Sequence, residues 1–157
     1  MTKILVIGGA SQDILHIDGK AIATTGGAGL YTALGAQTAG SQVDMFAPFP
    51  KPMPDLMKPI TNKINWIGPI VDQDKIPHFE IMYDKEGKAT YTTVEPRAEG
   101  QMSTTDLPND LSQYTYVHIV QLGNIDLQLK MLHQCRANNA KYISVSGGHK
   151  LKAHEKN

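Results

Sequence analysis

Apolar positions fall into short runs separated by glycine, proline and charged turns. Residues 3–7 form one unbroken aliphatic run closed by Gly8-Gly9, the pattern of a strand buried on both faces. Residues 14–17 and 21–24 flank Asp18-Gly19, which predicts a hairpin. Small residues from 27 to 39 predict a helix stopped by Gly40, and residues 42–47 a strand carrying Val43, Met45 and Phe46. Pro48, Pro50, Pro52, Pro54 and Pro59 forbid a long helix before about Asp55. They leave room for a short helix over 55–63, irregular at Pro59, and a short strand over 64–67. Residues 79–83 and 89–94 surround the turn-rich 84–88 and predict a second hairpin. A strand over 114–120 follows, then a helix over 125–138 capped by Asn124, with Ile125, Leu129, Leu132 and Cys135 on one face. A last strand spans 141–145, and the tail from 148 to 157 is polar.

Strand–helix alternation at both ends predicts an α/β fold with a mostly parallel sheet, and the two hairpins a small β layer placed as a lid. Composition narrows the function. A chain of 157 residues with 41% apolar content suits one domain with a sizeable core. Fifteen Lys and Arg balance fifteen Asp and Glu, which gives no field for nucleic acid or an acidic membrane. No apolar run reaches membrane-spanning length, and the N-terminal run is too brief for a signal peptide. A single cysteine, Cys135, excludes an internal disulfide and fits a reducing compartment, the cytoplasm. On its apolar helix face it reads as inert core.

Candidate chemistry centres on residues 25–35, where Gly26-Gly27 opens a helix of small residues. The first N–H groups of a helix lack internal partners, so bare backbone there suits an oxygen-rich ligand. The same glycines could equally serve a tight turn and close helix–sheet packing. Asp13 reads either as a ligand carboxylate or as a turn residue, and Tyr31 as helix packing or a ligand contact. Phe79 and Tyr91 are expected to fill the lid's own small core. Other chemistries fail on spacing. The six histidines show no metal-ligand pairing, no Gly-x-x-x-x-Gly-Lys-Ser/Thr loop occurs, and a dinucleotide fingerprint would need glycine or alanine where Thr32 stands.

The strand leading into Gly8-Gly9-Ala10-Ser11-Gln12-Asp13, the Gly26-Gly27 helix start, the strand ending at Phe46-Ala47-Pro48 and the hairpin over 79–94 come in that order. With the strand, helix and strand over 114–145, this order resembles the ribokinase-like (PfkB) family of sugar and nucleoside kinases. The resemblance implies a three-layer sandwich over residues 1–147, with lid strands at about 14–24 and 78–94 and the C-terminal half of the fold missing. It implies that Asp13 binds sugar hydroxyls, with Gly26 and Gly27 lining the same pocket and Tyr31 beside it. A carboxylate accepts from two vicinal hydroxyls, in charge-assisted bonds. Tyr31 stands where ribokinases often carry asparagine, and Gly123 follows Gln121-Leu122 where they often carry an acid.

The family's catalytic Gly-Ala-Gly-Asp motif is absent, since Gly27-Ala28-Gly29 is followed by Leu30. No catalytic residue and no metal ligand is therefore assigned. ATP and Mg²⁺ are implied by the resemblance alone, and little or no catalysis is expected from this chain by itself. The expected ligand is a sugar or nucleoside; the expected partners are a second copy or a complementing C-terminal chain. The alternative is a non-catalytic binding or dimerisation module.

Overall fold

The computed structural model describes residues 1–147; the polar tail lies outside these. A five-stranded sheet forms the centre. Its strands are β1 (Lys3–Ile7), β4 (Gln42–Phe46), β6 (Asn65–Ile67), β10 (Tyr116–Ile119) and β11 (Ile143–Val145), ordered β11-β10-β1-β4-β6 and parallel throughout. Leu5, Val6 and Ile7 in the middle strand have no exposed surface, as a strand covered on both faces requires.

Helix α1 (Ala28–Thr38) packs on β1 and β4, and α3 (Ile125–Ala137) packs on β10. From β1 the chain steps to β4 on one side, while from β10 it steps to β11 on the other. Right-handed crossovers in opposite directions put α1 and α3 on opposite faces of the sheet, giving three layers. Helix α1 ends as its sequence predicts: Gly40 adopts φ 89°, and Ser41 donates its N–H to Ala36 O at 3.1 Å. The proline-rich segment holds a 3-10 turn at Asp55–Met57, the four-residue α2 (Lys58–Thr61), and an unforeseen two-residue pairing of β5 (Phe49–Pro50) with β7 (Ile70–Val71).

The predicted inner face of α3 is rotated. Leu127, Gln128, Met131 and Cys135 are buried, while Leu129 is half exposed. Gln128 turns inward because both ends of its amide are used. Its Oε1 accepts from Leu122 N–H at 3.2 Å, and its Nε2 donates to Ser146 O at 2.9 Å. Apolarity alone could not foresee a polar residue held in the interior by two backbone groups.

The hairpins form one separate sheet ordered β3-β2-β8-β9, built from β2 (Ser11–Ile17), β3 (Lys20–Gly26), β8 (His78–Tyr83) and β9 (Ala89–Glu95). Asp18 and Gly19 turn the first hairpin with φ 50° and 74°, the left-handed pair that an Asp-Gly turn supplies. Strands β2 and β8 run parallel, Gln12 opposite His78 and Leu15 opposite Ile81, so two hairpins distant in sequence make one lid.

Candidate functional site

A cleft of about 820 Å³ lies between the lid and the carboxyl ends of β1 and β10. In the sheet order β1 stands between β4, reached first, and β10, reached later. The direction of winding reverses there, and open α/β sheets take their ligands in the crevice outside such a reversal.

Alternation along β2 points Ser11, Asp13 and Leu15 to one face, and all three line the cleft. Asp13 is buried; its Oδ1 and the Ser11 hydroxyl have no hydrogen-bond partner among the described residues. Burial pushes the Asp13 carboxyl above its ordinary value, while the Ser11 hydroxyl and the His78 charge act in the opposite direction. A buried carboxylate oxygen without a donor costs free energy, which hydroxyl donors from a ligand would offset.

Gly26 sits directly opposite Ser11 and does not line the cleft. A Cβ there would lie 1.8 Å from Asp13 Oδ2 and 2.8 Å from Ser11 Oγ, so bare backbone at 26 leaves room for the carboxylate. Gly27 does line the cleft, at φ 102°, and a Cβ on it would lie 2.4 Å from Gly9 O. Gly27 thus serves close packing as well as exposing backbone. It stands at the N-cap of α1 without a side-chain cap, and Ala28 behind it also faces the cleft. Tyr31, 60% exposed, forms part of the wall; its hydroxyl donates to Thr25 O at 2.9 Å, which fixes the ring. Asp13, Gly27 and Tyr31 therefore meet at one cleft, with Gly26 leaving the space that the Asp13 carboxylate occupies.

Glu99, which sequence reasoning missed, joins them. It follows β9 on a 3-10 turn at Arg97–Gln101. Arg97 anchors that turn by donating to Glu95 and, at 2.9 and 3.2 Å, to the carbonyls of Asp74 and Ile76. Glu99 Oε1 accepts the Gly9 N–H at 2.7 Å, and burial pushes the carboxyl upward. The available signal was the charged stretch before Gly100, right after a lid strand. Phe79 and Tyr91 meet edge to face at 6.3 Å and both line the cleft, so the lid's aromatic cluster also forms the ceiling of the site. Gly123 and Asn124, the α3 cap, close the far side.

The groups implied for phosphoryl transfer do not fit the described residues. Among them no cluster of three or more His, Cys, Asp or Glu could hold a metal. Among the described residues the cleft presents carboxylates and no Lys or Arg toward a triphosphate.

No family model matches the sequence, and no curated protein is significantly similar to it. Solved structures are similar in fold. Ribokinase from Cryptococcus neoformans var. grubii serotype A, in complex with ADP, superposes with TM-score 0.74 at 13% identity, over 94% of this chain and 50% of that one. Nucleoside kinase from Methanocaldococcus jannaschii, an archaeal member of the ribokinase family, gives 0.70 at 20% identity over 98% and 55%. A PfkB protein from Polaromonas sp. JS666 gives 0.71 at 14% identity over 96% and 57%. The chain has the ribokinase-like fold, as the order of its motifs implied. It spans about half the length of the structures it matches. No helix among the described residues is long and apolar enough to cross a membrane.

Proposed function

We propose that this chain is the substrate-binding half of a PfkB-type sugar or nucleoside kinase. The observation that carries the reading is Asp13, a buried carboxylate with an unpartnered oxygen in a lidded cleft at the reversal point of the sheet. In this reading Asp13 accepts from two substrate hydroxyls, Gly27 offers backbone at the helix start, and Gly26 keeps Asp13 in place. Residues 1–147 form the functional unit, and a reducing, cytoplasmic setting suits the single buried thiol of Cys135. ATP and Mg²⁺ belong to the intact relatives. The chain alone turns over little or nothing, because the Gly-Ala-Gly-Asp that would activate the hydroxyl is not in it. The test is calorimetric titration with sugars and nucleosides, alongside an ADP-release assay with ATP and Mg²⁺. Binding abolished by Asp13→Ala without turnover supports the reading; ADP release that Asp13→Ala abolishes overturns the half-kinase.

A second reading, an interaction module, draws on a different observation. Among the described residues β11 pairs only with β10, and Tyr142 and Val145 stand exposed at that edge, 62% and 41% respectively. An open strand edge with apolar neighbours invites another chain, either a second copy or a complementing C-terminal half. Light scattering separates the two readings: a stable monomer that binds polyols leaves only the first.

A further inference from the structure

We infer that the cleft selects an uncharged nucleoside, over a simple sugar and over any phosphorylated or acidic sugar. This inference rests on the hydroxyl-binding reading of Asp13 and adds the substrate class. Its first ground is charge. Asp13 and Glu99 both line the cleft, and among the described residues no lysine, arginine or histidine does. The basic group near Asp13, His78, lies on the opposite face of the lid, with Nδ1 at 2.7 Å from Gln12 O and Nε2 at 3.8 Å from Glu80. A ligand bearing phosphate or carboxylate would bring an anion toward two poorly solvated carboxylates, with no cation among the described lining residues to answer it. Like-charge juxtaposition in such a setting weakens binding by at least about tenfold.

The second ground is the wall. Tyr31 on α1 and Phe79, Tyr83 and Tyr91 on the lid line the same cleft. The flat base of a nucleoside stacks on an aromatic ring while its ribose hydroxyls reach a carboxylate, so it uses both the aromatic wall and Asp13. The Tyr31 ring is held by its bond to Thr25 O, and Tyr91 is 59% exposed with its ring braced against Phe79. The surfaces are thus ordered in advance, which spares a ligand part of the ordering entropy. The volume of about 820 Å³ accommodates base and ribose together.

The test is titration of the 157-residue chain with inosine, ribose, ribose 5-phosphate and inosine 5′-monophosphate at low and high salt. Inosine is expected to bind at least about tenfold tighter than ribose and than either phosphate. The phosphate penalty should shrink at high salt. Glu99→Gln keeps the acceptor for Gly9 N–H while removing one charge, and should narrow the inosine-to-monophosphate ratio several-fold. Tyr91→Ala, at an exposed position, should weaken inosine more than ribose. Monophosphate binding as tight as inosine, ribose binding as tight as inosine, or a ratio unmoved by Glu99→Gln overturns the inference and leaves the hydroxyl-binding reading standing. Failure of all four ligands to bind removes both.

Discussion

The carboxylate of Asp13 occupies the volume that a side chain at Gly26 would need, 1.8 Å from the position of its absent Cβ. The two residues sit on neighbouring antiparallel strands, with Asp13 opposite Thr24 and Gly26 opposite Ser11. Gly26→Ala is therefore expected to displace Asp13 and Ser11 together. Sugar or nucleoside binding should fall at least about tenfold, with a stability loss of about 1–3 kcal/mol from overpacking. Calorimetric titration and urea unfolding check the two effects. Unchanged affinity would show that Asp13 can move without consequence for the ligand.

The carboxyls of buried Asp13 and half-buried Glu99 make stability depend on pH in a definite direction. Burial raises Asp13 above 3.8 and Glu99 above 4.5, so the folded protein holds these protons more tightly than the unfolded chain. Their contribution is fully present below those ordinary values and is lost as pH rises through the raised ones. Glu99→Gln should accordingly raise the melting temperature relative to the parent at pH 7, with the gain vanishing near pH 3. A gain of equal size at both pH values would assign the effect to packing.

Two glycines of α1 should respond oppositely to the same substitution. A Cβ on Gly29 would lie 2.1 Å from Gly8 O, a backbone atom, whereas one on Gly35 meets nothing within 4 Å. Gly35→Ala should stabilise the protein by about 0.5–1 kcal/mol, as alanine does in a helix interior. Gly29→Ala should destabilise it by about 1–3 kcal/mol. Denaturant unfolding of both variants is the check, and stabilisation by both would mean that α1 can lift away from β1 at little cost.

At the amino ends of the central strands, Tyr114 donates its hydroxyl to buried Asp44 at 2.6 Å, and Asp44 also meets Asn65 at 3.0 Å and Lys3 at 3.4 Å. Tyr114→Phe should cost about 1–3 kcal/mol, because Asp44 stays buried with a donor removed. Urea unfolding measures it, and ligand affinity, set at the other end of the sheet, should not change.

How much of this was readable in advance depended on the range of the interactions involved. Strand β1, the Asp18-Gly19 hairpin, α1 with Gly40, and the Asn124 cap are local patterns of period, turn and cap, and they stand in the sequence as they stand in the fold. Glu99 was hidden because its role comes from accepting the N–H of Gly9, 90 positions away. Gln128 was hidden because a polar residue reads as surface until Leu122 and Ser146 supply its partners. The closeness of Gly26 to the Asp13 carboxylate depends on the β2–β3 register, which the turn sets but composition does not display.

The joining of β2 to β8 sets a timetable for assembly. Gln12 and His78 lie 66 positions apart, and Lys3 must wait for Thr115, 112 positions on. Closing such distant pairings costs chain entropy before any contact repays it, and it slows folding. During synthesis the first hairpin emerges early with its apolar face uncovered, and neither the complete cleft nor the flanked middle of the sheet exists until β10 and the residues after it have emerged. The binding site waits for residues 121–124, which close its far side, and nascent chains carry an exposed β2 edge open to aggregation until β8 emerges, 66 positions after Gln12.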